Sequence, residues 1–186
     1  MERGVSLIEL LITLFIMSIL IMGTLSSGFG QSRKELAADD LMGEIMSALS
    51  MSRNTAIDEA ITVTFCRSRD GTQCKGSWNE GAIIFTDLNE DHKLDPEDRL
   101  LFRLQPHNAD GTLSFNSFQN RQYLQFNSRG FTKYQNGNFT FCASNKDPRE
   151  HRQIILSLSG RTRYAQDSNG DGIREGSNGK PIKCKR

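Results

Sequence analysis

One carboxylate, Glu9, stands inside an otherwise apolar segment that runs from Leu7 to about Met22. An ionised carboxylate in the lipid-facing part of a helix costs about 2.5–3.5 kcal/mol, so Glu9 requires a cationic partner. Cleavage of the chain after Gly4 would free the α-amine of Val5, and the amine of a neighbouring copy could then neutralise Glu9. The carboxylate therefore predicts an ion pair at Glu9, for which the amine of a neighbouring chain, if freed by such a cut, is one natural partner.

The apolar segment is also a candidate membrane anchor. A membrane-spanning helix needs about 20 apolar residues, and the segment reaches that length when it is extended to Phe29. An ordinary secretory signal peptide, cleaved near Ser26–Gly28, is an alternative, although such peptides rarely contain a glutamate. An anchor that is never cleaved is a further alternative.

A second group with chemical potential is the pair Arg161 and Arg163 in the sequence Gly160-Arg161-Thr162-Arg163. In a strand the two side chains share a face, and each guanidinium can bind a phosphate through two hydrogen bonds. Further basic residues that could extend this surface are Arg129, Lys133, Arg152, Arg174, Lys180, Lys183, Lys185 and Arg186. A polyanion such as a phosphate backbone, if bound there, would be held by its charge and released by salt. Alternatively, the arginines pair with acidic residues of neighbouring subunits.

The remaining titratable residues do not predict catalysis. The three histidines, His92, His107 and His151, lie in predicted polar loops and none belongs to a nucleophile motif. We therefore expect no enzymatic activity and no cofactor.

Two segments resemble calcium-binding loops without completing the pattern. Asp87, Asn89 and Asp91 place oxygens at loop positions 1, 3 and 5, but His92 stands where such a loop has glycine. Residues 167–172 have that glycine, but Asn178 replaces the glutamate of position 12. The sequence predicts a polar turn and a flexible tail here, without a metal.

Composition and charge suggest one anchor and one exported globular domain. The chain has 186 residues, of which 37% are apolar, enough for a head of about 125–150 residues. Residues 129–186 carry a net charge of +7 and residues 1–128 a net charge of −6. The basic C-terminal third is a candidate surface for polyanions, unless the acidic part of the chain or a neighbouring subunit balances it.

The four cysteines predict disulfide bonds in an oxidising compartment. We favour Cys66–Cys74, which closes a glycine-containing loop, together with Cys142–Cys184, which ties down the C-terminal tail. Chain entropy assigns them about 2.5 and about 4 kcal/mol of stabilisation. Free thiols in a reducing cytosol are the alternative.

Hydrophobic periodicity divides the rest of the chain into one helix and a set of strands. Residues 31–59 have apolar side chains at three- and four-residue spacing, at Ala38, Leu41, Ile45, Ala48, Leu49 and Ala56. Met42, Met46 and Met51 lie off this stripe and are expected to face neighbouring subunits. Strands are predicted over 61–65, 78–86, 99–105, 112–118, 122–126, 139–142, 153–159 and 161–165. The fold class is α+β, a long N-terminal helix packed on an antiparallel sheet.

The stretch from Gly4 to Glu9 resembles the signal sequence of type IV pilins and type II secretion pseudopilins. The order of elements resembles the GspH/FimT branch of that family, as do the segments Phe65–Ser68, Trp78–Gly81, Ile83–Asp87 and Gly160–Arg163. The resemblance implies cleavage after Gly4 by a prepilin peptidase, methylation of Val5, and a role for Glu9 in assembly. It also implies that the Gly160–Arg163 motif is a candidate DNA-binding site.

The resemblance implies a minor pilin, anchored once in the inner membrane with a periplasmic head and later incorporated in a filament. Its partners would be the major pilin, other minor pilins, prepilin peptidase and the inner membrane, with double-stranded DNA as a further candidate. The expected segments are a leader (1–4), an assembly helix (5–29), an amphipathic helix (30–60), a β head (61–165) and a basic tail (166–186). A DNA receptor and a type II secretion pseudopilin of the H type remain alternatives.

Overall fold

The computed structural model describes residues 6–25 and 29–184. They fall into two compact units, Met1–Leu36 and Ala37–Arg186. Helix α1 spans Leu7–Leu25 and helix α2 spans Phe29–Asp58. Gly4, Val5, Lys185 and Arg186, for which the sequence makes predictions, lie outside the described residues. Within the described ranges, no helix combines the length and apolarity needed to cross a membrane.

Helix α1 has exposed apolar side chains on all sides. Every side chain from Leu7 to Ile21 is exposed, and the hydroxyl groups of Thr13 and Ser18 bond within the helix. Thr13 donates to the carbonyl of Leu10 at 2.9 Å, and Ser18 to that of Phe15 at 2.8 Å. These two hydroxyl groups are therefore satisfied within the helix, as an apolar surrounding requires.

In the second unit, the part of α2 from Ala37 onward supplies one wall of the core. All members of the predicted apolar stripe are buried, namely Ala38, Leu41, Ile45, Ala48, Leu49 and Ala56. Met42 is only 1% exposed as well, so the prediction that it faces a neighbouring subunit is wrong. It lies three residues before Ile45, and the buried face is wide enough to include it. Met51, at 41% exposure, does lie at the surface.

Eight strands form the head, and each overlaps a predicted strand. They are β1 (Val63–Arg67), β2 (Ala82–Thr86), β3 (Leu100–Leu104), β4 (Gly111–Ser117), β5 (Tyr123–Phe126), β6 (Gly137–Ala143), β7 (Arg152–Leu156) and β8 (Thr162–Tyr164). They form two antiparallel sheets, in the orders β3-β2-β1-β5 and β4-β6-β7-β8. The chain leaves the second sheet after β4 through a short 3-10 helix in which Gln119 and Asn120 adopt left-handed conformations, with φ of 59° and 54°.

An aromatic cluster joins the two sheets. Phe139 of the second sheet stacks on Phe115 at 4.4 Å and meets the edge of Trp78 at 4.9 Å. It also lies 5.8 Å from Phe65 of the first sheet, measured between ring centroids. All four rings are buried. Phe139 therefore contributes to the packing that fixes the second sheet, which carries the candidate site, to the first.

The structure contains both predicted disulfides. Cys66 is bonded to Cys74 across eight residues, and Cys142 to Cys184 across 42 residues. Cys142 belongs to β6, so the second bond fixes the end of the tail to the second sheet.

Candidate functional site

The turn between β7 and β8 presents the predicted arginine pair. Arg163 lies in β8, paired in register with Ile155 of β7. Arg161 lies just before β8, and its carbonyl accepts a hydrogen bond from the backbone N–H of Ser157 at 2.9 Å, so the strand pairing continues to it. The two arginines are two residues apart in extended backbone and both are exposed. Their guanidinium groups therefore lie on one face of the sheet.

The pairing register of the strands shows which face of the second sheet the two arginines occupy. The row Asn116, Asn138, Ile155 and Arg163 crosses the sheet and alternates with the core row that contains Phe139. We call this side the outer face of the second sheet. Arg161 and Arg163 thus point away from the core, at the edge formed by β8.

Two glycines hold the turn in place. Gly160 has φ +74°, and a Cβ there would lie 2.0 Å from the carbonyl oxygen of Gly130, so the two backbones touch. Arg53 of α2 donates to that carbonyl at 3.1 Å and would lie 2.9 Å from the same Cβ. Glycine at 160 is therefore required both by its conformation and by this close approach. Sequence analysis did not find the role of Arg53, because a cation on a helix gives no local signal of a distant carbonyl partner.

Within residues 6–25 and 29–184, neither guanidinium of the pair forms an ion pair with a carboxylate. Arg161 donates a side-chain hydrogen bond from Nε to the Ser159 hydroxyl at 3.3 Å. Two exposed guanidiniums on one face, not neutralised within this part of the chain, can bind an anionic group such as a phosphate or a carboxylate.

Arg152, also assigned to the basic surface, is buried instead. It is 6% exposed, and its Nε donates to Asp39 at 2.6 Å and its Nη1 to the carbonyl of Arg149 at 2.9 Å. This corrects its assignment to an exposed surface, since its charge is used within the fold. The negative charge of the same Asp39 also acts on Tyr164. The pKa of Tyr164 is raised, mainly by burial and to a smaller extent by this charge.

Lys133 is likewise engaged within the head. Its ammonium pairs with Glu90, and this hydrogen bond is the main reason why the pKa of Glu90 lies below its ordinary value. The Lys133 charge is thus largely neutralised, unlike those of Arg161 and Arg163.

The C-terminal tail brings one more lysine to the outer face. Lys183 is exposed and lines a polar groove of about 230 Å³ between the tail and the sheet, with Asn138 and Gln153 on the opposite wall. Lys180 is exposed, whereas Arg174 is half-buried and donates to the carbonyl of Arg149 at 3.2 Å. Lys183 therefore lies on the same face as the arginine pair, whereas Arg174 is held by its hydrogen bond to Arg149.

Glu9, the predicted assembly residue, lies in the first turn of α1. Its backbone N–H donates to the carbonyl of Ser6 at 3.0 Å, and its side chain is exposed among exposed leucines and isoleucines. A carboxylate in this position can receive a cation from outside its own helix.

Asp87, the first residue of one calcium-like segment, has a structural role. It is fully buried, and its carboxylate accepts hydrogen bonds from Thr64 at 2.5 Å, Gln125 at 2.9 Å and the N–H of Asp91 at 3.0 Å. These bonds anchor the loop after β2 to the first sheet. Asn89 and Asp91 are held in turn hydrogen bonds with Asp95 and Lys93.

The three histidines are each held by a structural contact. His92 Nε2 lies 3.0 Å from the Gln125 amide oxygen, and His107 Nε2 lies 3.1 Å from that of Asn79. His151 is buried, where its Nδ1 accepts the N–H of Ala143 at 3.4 Å, and this burial lowers its pKa. These contacts fix loops to the sheets.

The second calcium-like segment includes a carboxylate that sequence analysis missed. Asp167, Asp171 and Glu175 each offer an oxygen, and these oxygens lie within 4.8 Å of one another. The calcium-loop pattern places its last carboxylate at position 12, whereas Glu175 stands at position 9.

Comparison with known proteins gives two sequence matches and a structural likeness. Residues 42–160, more than half of the chain, match the family model described as type II transport protein GspH, and residues 1–25 match the prokaryotic N-terminal methylation motif. Among curated proteins, no sequence matches.

The structural likeness is to the type IV minor pilin FimU of Pseudomonas aeruginosa. One crystal structure is 18% identical, with a TM-score of 0.54 over 72% of this chain and 89% of that chain. A second crystal form gives 18% identity and a TM-score of 0.51, over 70% and 90% of the two chains. At this identity the likeness establishes the fold.

Proposed function

The chain belongs to the family of the type II transport protein GspH, and we propose that it is a minor pilin of a type IV pilus. The observation that carries a pilin-type role is the methylation motif over residues 1–25, which lies N-terminal to the family region at residues 42–160. The exposed apolar surface of α1 and the fold shared with a type IV minor pilin support it. Its role is structural, in filament assembly, rather than catalytic.

In this proposal the chain is inserted once in the inner membrane with its head in the periplasm. Prepilin peptidase cuts after Gly4 and methylates Val5. The apolar helix then packs among the helices of the major pilin and other minor pilins, with Glu9 against the amine of a neighbour. Motility, adhesion and DNA uptake follow through the filament.

Filaments sheared from cells test this proposal. We expect the protein to co-purify with the major pilin and other minor pilins, with a mass that begins at a methylated Val5. An abundant periplasmic protein that is absent from the sheared fraction is the control for leakage. Retention of residues 1–4 in the assembled protein, or absence from purified filaments, would contradict the proposal.

Type II secretion is the alternative machine, and the description of the matching family model favours it. The same fold and N-terminal motif serve both assemblies. Co-purification with the secretion pseudopilins rather than with the pilus would assign the chain to that system.

Binding of double-stranded DNA is a second candidate function, favoured by the exposure of Arg161 and Arg163 and by their lack of a carboxylate partner among the described residues. With Lys183 on the same outer face, these residues form a cationic surface on the second sheet. The pair would contact backbone phosphates, so affinity would not depend on base sequence and would fall steeply with salt.

A titration of labelled duplex DNA with the full-length protein in detergent tests this function. Arg161→Gln with Arg163→Gln is expected to weaken binding about tenfold or more at low salt and to reduce the slope of log affinity against log salt by about 2. The matched control is Arg69→Gln with Arg99→Gln, which removes two exposed arginines that are already paired with Glu80 and Glu59. Equal loss in both variants would indicate a net-charge effect and would exclude a site at Arg161 and Arg163.

A further inference from the structure

The tail contains a cluster of three carboxylates. Oxygens of Asp167, Asp171 and Glu175 lie within 4.8 Å of one another. Negative charges at this separation repel one another, and the repulsion is stronger where one of them is removed from water. The cluster therefore favours a cation among its oxygens.

Glu175 provides an independent observation. It is 7% exposed, and its Oε2 accepts the N–H of Ser168 at 2.7 Å. Its Oε1 is buried without any hydrogen-bond partner in the described part of the chain. A buried carboxylate oxygen without a partner is costly, and native proteins rarely leave one so. Because the carboxylate lies within the cluster, a cation bound there would satisfy this oxygen.

Hydrogen bonds within the loop hold its side-chain oxygens in place. Asp167 accepts the N–H groups of Gly170 at 2.7 Å and Gly172 at 2.8 Å, one with each carboxylate oxygen. Asn169 accepts the N–H of Asp171 at 3.0 Å, and Asp171 accepts the N–H of Ile173 at 2.7 Å. Each of these oxygens keeps a second lone pair for a cation.

The spacing of the loop is that of a calcium loop up to its ninth position. Asp167, Asn169 and Asp171 stand at positions 1, 3 and 5, and Gly172, with φ +84°, stands at position 6. Ile173 stands at position 7, which supplies a backbone carbonyl, and Glu175 at position 9. The ligand set therefore consists of oxygens alone, from side chains and one backbone carbonyl. Ca²⁺ prefers such oxygen ligands, whereas zinc prefers softer nitrogen and sulfur donors.

We propose that residues 167–175 form a Ca²⁺ site that fixes the C-terminal tail. Glu175 also forms isolated β-bridges with Gln166 and Pro181, so a cation at its carboxylate would tie the loop to the segment that leads to Cys184. The site is independent of the proposed pilus and DNA functions.

Equilibrium dialysis of the full-length protein against ⁴⁵Ca²⁺, in detergent and with disulfides intact, tests the proposal. We expect one Ca²⁺ per chain with a Kd of about 10⁻⁴–10⁻³ M, the range of extracellular calcium modules, and much weaker binding of Mg²⁺. Glu175→Gln is expected to weaken binding at least tenfold. Asp171→Asn, at an exposed position, does the same without removing a buried group.

The other calcium-like loop supplies the matched control. Asp91→Asn removes the acidic side chain at position 5 of that loop, as Asp171→Asn does in the tail, and should leave Ca²⁺ binding unchanged. A second readout is trypsin cleavage after Arg174, which Ca²⁺ should slow at least tenfold in the native chain and leave unchanged in Asp171→Asn. Absence of stoichiometric binding up to about 10 mM, equal binding of Mg²⁺, or loss of binding in Asp91→Asn would each overturn the proposal.

Discussion

Replacement of Phe139 by alanine should lower the free energy of unfolding of the head by about 3–5 kcal/mol. The ring is fully buried and contacts Phe115, Trp78 and Phe65, so the substitution removes apolar burial, leaves a cavity and breaks three ring pairs. Since Phe65 belongs to the first sheet and Phe139 to the second, the loss also loosens the joint between the sheets. Urea denaturation with both disulfides intact measures the change.

Phe118→Ala is the matched control, because that ring is 60% exposed. It should change stability by no more than about 0.5 kcal/mol, as exposed substitutions generally do. A cost of less than about 1.5 kcal/mol for Phe139→Ala would mean that neighbouring side chains fill the cavity. In that case the Phe139 ring would contribute little to the packing between the sheets.

Local periodicity was enough to predict the elements of the head but not how they pair. Alternation marks strands such as β4, of which one face is buried, whereas a continuous apolar run marks β2, which is buried on both faces. The apolar stripe marks α2 because one side of that helix faces the core. The division into two sheets depends on β5 returning to β1, the first strand of the chain. These two strands are distant in sequence, so no short window of sequence encodes their pairing. The left-handed turn at Gln119 and Asn120 allows the chain to return to the first sheet.

Charged residues were harder to place than apolar ones. Arg152 and Arg161 have a similar local sequence signal, since Arg152 is the first residue of β7 and Arg161 immediately precedes β8. Only the approach of Asp39, 113 residues away, makes Arg152 a buried partner, whereas Arg161 stays exposed. Glu175 likewise becomes part of an acidic cluster only once the tail folds back on itself. The role of a charged residue depends on the residue it pairs with. For Arg152 and Glu175 those partners are not adjacent in sequence, so the roles could not be predicted.

Replacement of Glu9 by glutamine should reduce incorporation into filaments by roughly 100-fold, the equivalent of the 2.5–3.5 kcal/mol at stake for one unpaired charge in lipid. The amide keeps the shape of the side chain but removes the charge that would neutralise a neighbour's amine. Helix α1 is otherwise apolar, so no other acidic side chain of Leu7–Leu25 can replace it. The measurement compares the amount of mature protein in sheared filaments with the amount in the membrane.

Glu35→Gln separates the effect of the ion pair from a general effect of charge. Glu35 is an exposed glutamate in α2, at the end of the same unit, and its replacement should leave incorporation unchanged. The Glu9→Gln variant must also still be cut after Gly4, since the expected defect is in packing among helices rather than in processing. If Glu9→Gln assembles as well as Glu35→Gln, a carboxylate in the first turn of α1 is tolerated for another reason, and the proposed contact between neighbouring chains has to be abandoned.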